Sequence, residues 1–150
     1  MAGGRATALP LSYNMPMRWS AIITTYNSGS VIGRALDSIL DLEHSERPVD
    51  IVVVDNASSD DTSSIVKGYG QAVKLVENRR NLGLSRANNK GAEAAGGDSL
   101  FFLNPDVEVL PGTPTSLHRF QQDHPKAALL GPGMVDGDGH RQSTARTWPT

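Results

Sequence analysis

A run of apolar residues, Leu100-Phe-Phe-Leu103, constrains this chain more than any other stretch. It is bounded by Gly96-Gly97-Asp98 on one side and by Asn104-Pro105-Asp106 on the other. A short, unbroken apolar run between turn signals reads as a strand buried on both faces, the kind found in the middle of a parallel sheet. A carboxylate just past such a strand stands at the rim of the sheet, where open α/β folds take their ligands. Pro105 fixes its own φ and pushes Asn104 toward an extended conformation, so the placement of Asp106 is restricted before any ligand arrives.

The rest of the chain alternates around that strand. Trp19 to Thr24 reads as a first strand, followed by the turn and helix-start signal Thr24-Thr-Tyr-Asn-Ser-Gly-Ser30. Val31, Ile32, Ala35, Leu36, Ile39 and Leu40 then form one helical face. Ile51-Val-Val-Val54 is a second buried strand of β-branched residues, stopped by Asp55-Asn-Ala-Ser58. Asp60-Asp61-Thr62 can start a short helix carrying Ile65 and Val66 and closed by Gly68. Val73 to Val76 alternates as a strand nearer an edge, and a helix with small packing positions runs from about Ser85 to Ala95. Beyond Asp106, Val107 to Leu110 is expected to extend briefly, and Thr113 to Gln122 to form a helix with Leu117 and Phe120 inward. Ala127 to Leu130 is a further strand candidate; residues 131–140 form turns, and Arg141 to Thr150 returns as a strand. Strands alternating with helices argue an α/β fold with a mostly parallel sheet and helices on both faces.

Composition narrows the function classes. With 14 basic and 16 acidic residues and a net charge of −2, the chain has no electrostatic footprint for nucleic acid or anionic lipid. It has no cysteine, which excludes disulfides, thiolate metal sites and a cysteine nucleophile. That fits a reducing, cytoplasmic location, and a peripheral position at the inner face of a membrane is compatible with it. No apolar run approaches the ~20 residues of a transmembrane segment. Residues 1–17 read as a flexible leader and 18–150 as the functional domain.

The strand ends at Thr24 to Asn27, at Asp55 and Asn56, and at Asn104 and Asp106 should share one edge of a parallel sheet and converge on one cleft. Each suits part of a nucleotide diphosphate. Thr24, Thr25, Tyr26 and Asn27 can meet a base and ribose. Asp55 can bind ribose hydroxyls or a base edge, and is also competent to cap the following turn. The Asn56 side-chain oxygen can accept an imide N–H while its amide donates to a carbonyl. Asp106 supplies a hard oxygen for Mg²⁺ or Mn²⁺ shared with substrate phosphates. Asp60 and Asp61 read as helix-start residues rather than ligands. Glu108 would share a face with Asp106 if that piece is extended. Arg79 and Arg80 read as solvated, and Arg86 could neutralise phosphate. His118 reads as an exposed helix residue, and His140 has no evident partner.

Four segments in order carry a resemblance: Ala21-Ile-Ile-Thr-Thr-Tyr-Asn27, Ile51-Val-Val-Val-Asp-Asn-Ala-Ser-Ser-Asp60, Asn81-Leu-Gly-Leu-Ser-Arg-Ala-Asn-Asn-Lys-Gly91 and Gly97-Asp-Ser-Leu-Phe-Phe-Leu-Asn-Pro-Asp106. Together they resemble family 2 glycosyltransferases with a Rossmann-like GT-A fold, within them the rhamnosyltransferase-like branch. The stretch from Gly131-Pro-Gly to Arg146-Thr-Trp-Pro149 is similar to the segment that follows there.

The resemblance implies transfer of a sugar, with inversion, from a nucleoside-diphosphate-sugar donor to a saccharide or lipid-linked saccharide acceptor, in cell-wall or polysaccharide biosynthesis. It places Thr24 to Asn27 on the base-contacting motif, Asp55 and Asn56 on an Asp-Asp pair binding base and ribose, and Asn104-Pro105-Asp106 on an Asp-x-Asp motif with Asp106 at the metal. Asn56 and Asn104 stand where acids are usual, so metal binding should lean on the bound diphosphate. No residue of this chain matches the general base, which in such proteins lies, with the acceptor site, in a segment expected beyond Thr150. The competing reading is a non-enzymatic nucleotide-binding or receiver-like regulatory α/β module, but Thr24 to Asn27 offers no acid and Lys126 precedes its strand.

Overall fold

The computed structural model, which describes residues 17–142, realises the alternation as β1 (Trp19–Thr25), α1 (Gly29–Leu40), β2 (Asp50–Asp55), α2 (Thr62–Gly68), β3 (Lys74–Glu77), α3 (Leu84–Ala94), β4 (Ser99–Leu103), α4 (Thr113–Asp123), β5 (Met134–Val135) and β6 (Arg141–Gln142). The first four strands form one parallel sheet in the order β3-β2-β1-β4, while β5 and β6 make a separate antiparallel hairpin. The leader lies almost wholly outside the described residues, as does the end of the expected strand after Gln142.

Period-two alternation sends each strand's side chains to two different layers. Trp19, Ala21, Ile23, Ile51 and Val53 face α1 and α2, and pack with Ile32, Leu36, Ile39 and Val66 in the larger core. Val52 and Val54 face the other way and pack against Ala87 of α3. Small residues let α3 lie close. A Cβ on Gly91 would stand 2.4 Å from Ile22 Cγ2 and 3.3 Å from Val54 Cγ2. A helix-interior Gly→Ala change ordinarily gains about 1 kcal/mol of helix propensity. Here overpacking, at about 1–3 kcal/mol, is expected to outweigh it. Gly91→Ala should therefore lower the urea midpoint, and a raised midpoint would show that α3 can back away from the sheet.

The organising strand is placed differently from the expectation. Among the described residues β4 is not central: it pairs there with β1 alone, and β1 is the strand flanked on both sides by β2 and β4. Phe101 and Leu103 pack against the α1 core, but Leu100 and Phe102 are 38% and 48% exposed. The cause is the seat of α3, which packs over β1 and β2 and leaves the same face of β4 uncovered. An open groove of about 1230 Å³ runs there, lined by Leu100, Phe102, Asp106, Leu117, Leu129 and Val135 among others.

Three further expectations change. Among the described residues Ala127 to Leu130 has no strand partner, and Val107 to Leu110 is irregular. Within residues 131–140 the turn is real, yet it is clamped by the β5–β6 hairpin. Phe120 is half exposed and stacks on His124 at 4.0 Å instead of facing inward. Helix α4 is anchored at its start from afar: buried Glu46 accepts hydrogen bonds from the Gly112 N–H at 2.9 Å and from the Thr115 hydroxyl. The Thr115 hydroxyl, then the Gly112 N–H, hold the Glu46 carboxyl below its usual range.

Candidate functional site

Because β2, β1 and β4 are parallel neighbours, their C-terminal ends open on one sheet edge. The register sets Thr25 beside Asp55 and Ile23 beside Leu103. The Asn56 N–H donates to the Thr25 carbonyl at 2.8 Å, and the Asn78 N–H to the Asp55 carbonyl at 2.8 Å. Thr24 to Asn27, Asp55 with Asn56, and Asn104 with Asp106 thus follow adjacent strands at one rim.

Asp55 is buried and serves the loop after β2. Its carboxylate accepts from the Thr25 hydroxyl at 3.1 Å, from the Ser58 hydroxyl, and from the Ser58 N–H at 3.1 Å. Ser58 passes the link on, because its hydroxyl also accepts the Asn27 N–H at 2.8 Å. In return the Asn27 side chain accepts from the Ser59 N–H at 2.8 Å. Both loops carry a non-glycine residue at positive φ, Asn27 at 51° and Ala57 at 67°. Such backbone is disfavoured for L residues and persists where surrounding bonds hold it. The side chain of Asn27 is therefore committed to loop structure, whereas Tyr26 is 53% exposed beside it.

Asp60 acts as its sequence position suggested. It accepts from the Gly29 N–H at 3.0 Å at the start of α1 and from the Thr62 N–H at 3.1 Å at the start of α2. The Thr62 hydroxyl, then the Gly29 N–H, hold its carboxyl below the usual range. Thr62 in turn accepts the Ser28 N–H at 2.8 Å. A carboxylate near two helix starts is favoured by their orphan N–H groups and dipoles.

On the α3 face, the Thr24 hydroxyl lies 2.7 Å from Asn88 Oδ1. Asn56 Oδ1 accepts from Asn78 Nδ2 at 3.1 Å and from the Leu82 N–H at 3.0 Å. The expected acceptance of an imide N–H by that oxygen is thereby corrected, since both its lone pairs are engaged within the protein. Sequence reasoning entered Ser58 and Thr62 only as turn and helix-start residues, and did not single out Asn78 or Lys90. A Ser three residues past a strand-end Asp is a recognisable turn signal for Ser58; Asn78 and Lys90 carry no such local mark.

Asn104 starts a turn in which its carbonyl accepts the Val107 N–H at 3.2 Å, with Asp106 exposed at the corner. The turn prevents the extension that would have aligned Glu108 with Asp106. Glu108 instead lies 3.9 Å from Arg34. Arg79, Arg80 and Arg86 are exposed. His118 is partly buried, 3.1 Å from Gln122. His140, expected to be partnerless, sits 3.5 Å from Asp136 in the hairpin turn. Ligand atoms of Asp136, Asp138 and His140 lie within 4.8 Å of one another, but Asp136 already accepts the Asp138 and His140 N–H groups that close this turn.

An exposed carboxylate with no hydrogen bond or ion pair among the described residues fits a hard divalent cation shared with phosphates. The residue so placed is Asp106, at the edge where the other strand tips gather. The fold is a Rossmann-like α/β domain of GT-A type, with its polar strand tips gathered at the sheet edge where open α/β folds take their ligands.

Comparison with known proteins agrees. Residues 20–149 match the sequence family described as Glycosyl transferase family 2, and the chain belongs to that family. N-acetylglucosaminyl-diphospho-decaprenol L-rhamnosyltransferase of Mycobacterium tuberculosis is 33% identical over 86% of this chain and 45% of its own length. The Staphylococcus aureus TarS 1–349 structure in complex with UDP-GlcNAc superposes with a TM-score of 0.62 at 29% identity, over 72% of this chain and 32% of that one. Mannosyltransferase PcManGT from Pyrobaculum calidifontis, in complex with GDP-Man and Mn²⁺, gives 0.57 at 30% identity, over 61% and 28%. The chain spans less than half the length of these relatives.

Proposed function

We propose that this chain forms the donor-binding part of a glycosyltransferase that moves a sugar, with inversion, from a nucleoside diphosphate to an acceptor hydroxyl. The observation that carries the reading is the gathering of Thr24 to Asn27, Asp55 with Asn56, and Asn104 with Asp106 at one sheet edge. The base and ribose lie along the β1 and β2 tips, and the diphosphate reaches toward Asp106. A Mg²⁺ or Mn²⁺ ion at Asp106 would offset charge on the departing diphosphate. Asp106 contributes one carboxylate, and Asn104 beside it offers a neutral amide. The acceptor is a saccharide or a lipid-linked saccharide, as the name of the rhamnosyltransferase relative indicates for that protein. Among the described residues no helix is long and apolar enough to cross a membrane, and we place the domain on the cytoplasmic side.

The test is thermal unfolding with UDP, dTDP or GDP, with and without Mn²⁺. A ligand at 100 times its Kd adds about 2.7 kcal/mol of stability. For a domain of this size that is a rise of about 5–10 °C. Asp106→Ala should abolish the Mn²⁺-dependent part of the rise and leave the Tm of the free protein within about 1 °C, because exposed substitutions cost little. An undiminished Mn²⁺ effect in Asp106→Ala would remove the cation from this site.

A further inference from the structure

Strand β4 has one side without a neighbour. Among the described residues it pairs with β1 alone, so the N–H and C=O groups of its other edge face no strand. A free row of this kind is a template for one more strand, and proteins ordinarily blunt it with charge. The opposite edge of the sheet follows that rule: β3 begins with Lys74 and ends with Glu77, both exposed, and Glu77 lies 2.9 Å from Lys67. The sequence of β4, Ser-Leu-Phe-Phe-Leu, carries no charge.

Its uncovered face is apolar as well. Leu100 and Phe102 open on the groove beside β4 together with Met134, Val135 and Leu129, the last 89% exposed. A continuous apolar patch marks a surface that another segment or molecule covers. The charged residues lining the groove are Asp98, Asp106, Glu108 and Asp136, with no Lys or Arg among them.

The chain itself offers the occupant. Gln142, the last described residue, lines the groove and is already extended in β6. The sequence then runs Ser143-Thr-Ala-Arg-Thr-Trp-Pro-Thr150. It holds Arg146 and no acid, so its charge complements the acidic wall. Thr144, Thr147 and Trp148 are strand formers, and Pro149, without an N–H, is a natural stop. At ~3.3 Å per residue an extended Ser143 to Trp148 spans about 20 Å, against about 17 Å for β4. A second copy of the chain carries the same atoms, but a tethered segment competes at an effective concentration of about millimolar.

We infer that Ser143 to Trp148 adds to the free edge of β4 as a further strand and that Trp148 covers Leu100 and Phe102. The groove is then a seam within the fold. This inference does not depend on the donor-binding reading.

The experiment is amide hydrogen exchange of the full chain, read residue by residue by NMR, with tryptophan fluorescence on the same sample. Alternate amides of Ser143 to Trp148 should exchange more slowly than in a free peptide of that sequence, by about 10-fold or more. The emission of Trp148, taken as the difference between the unaltered chain and Trp148→Phe, should be blue-shifted from that of the peptide. Phe102→Asp, at a half-exposed position, should return this emission to the red and speed exchange across Ser143 to Trp148. Exchange as fast as in the free peptide overturns the inference. Protection and emission that ignore Phe102→Asp overturn the placement on β4. Protection that vanishes on dilution, as a dimer dissociates, assigns the groove to a second copy instead.

Discussion

Trp19→Ala is expected to lower the unfolding free energy by about 3–5 kcal/mol, the usual cost of removing a large buried aromatic. Trp19 opens β1, is fully buried, and packs its ring on Phe101 at a centroid distance of 4.4 Å. Its indole Nε1–H donates to the Glu46 carbonyl at 2.9 Å, and its own carbonyl accepts the Val49 N–H at 2.8 Å. One side chain therefore joins the central strand, the edge strand β4 and the α1–β2 connection. Domains of this kind are stable by about 5–15 kcal/mol in total, so the loss is a large share. Trp19→Phe separates the contributions. It keeps much of the ring packing but orphans the Glu46 carbonyl, and should cost about 1–3 kcal/mol. Urea unfolding followed by far-ultraviolet circular dichroism measures both; a Trp19→Ala loss below 1 kcal/mol would contradict this account of the core.

Asp55→Ala should produce the largest combined effect on stability and ligand binding. The carboxylate is 3% exposed and receives donors from Thr25 and Ser58. Removing it orphans the Ser58 N–H and loosens the Ser58–Asn27 link that joins the loops after β1 and β2. Lost hydrogen bonds to a charged group are worth about 1.5–3 kcal/mol. With both positive-φ residues then less restrained, a loss of about 2–4 kcal/mol is expected. Nucleotide affinity should fall by more than about 10-fold, because in the proposed function these loops wall the donor cleft. Asp55→Asn keeps one acceptor oxygen and should fall between the two. A destabilised Asp55→Ala that binds nucleotide normally would leave Asp55 a capping residue and nothing more.

At Asp55 the fold shows the capping role, and ligand binding remains part of the proposed function. The sequence offered a choice between a strand-end carboxylate for a ligand and one for its own turn. The bonds to Ser58 show the turn role directly. The ligand role works through the wall those bonds hold in place, and it belongs to the proposed function.

Much of the architecture was legible in local patterns. Ile51 to Val54 could only be a buried strand, the spacing of Val31 to Leu40 could only be an amphipathic helix, and Val73 to Val76 was correctly set near an edge. Asp60 could be read as a helix-start residue because a short polar acceptor before a helix satisfies free N–H groups. These signals are carried by residues adjacent in the chain, where periodicity and capping act.

What sequence could not supply was the matching of segments distant along the chain. Leu100 to Leu103 is apolar on both faces, so its composition argued for the sheet centre. Its actual exposure depends on where α3 lies, and α3 covers β1 and β2. Phe120 shows the same limit, since a helical apolar position is buried only if another element comes to meet it.

By itself, then, the amino-acid order determined the elements, their parallel alternation and the polar tips that end three of the strands, because backbone preference and side-chain period act within a few residues. The tertiary structure alone decided that, among the described residues, β1 lies between β2 and β4 with β4 lateral, and that the Asn56 side-chain oxygen is engaged by Asn78 and the Leu82 N–H. Both depend on contacts across tens of residues: helix seating for the first, and for the second a hydrogen-bond chain whose end donors, Leu82 and Lys90, no local pattern connects to Asn56.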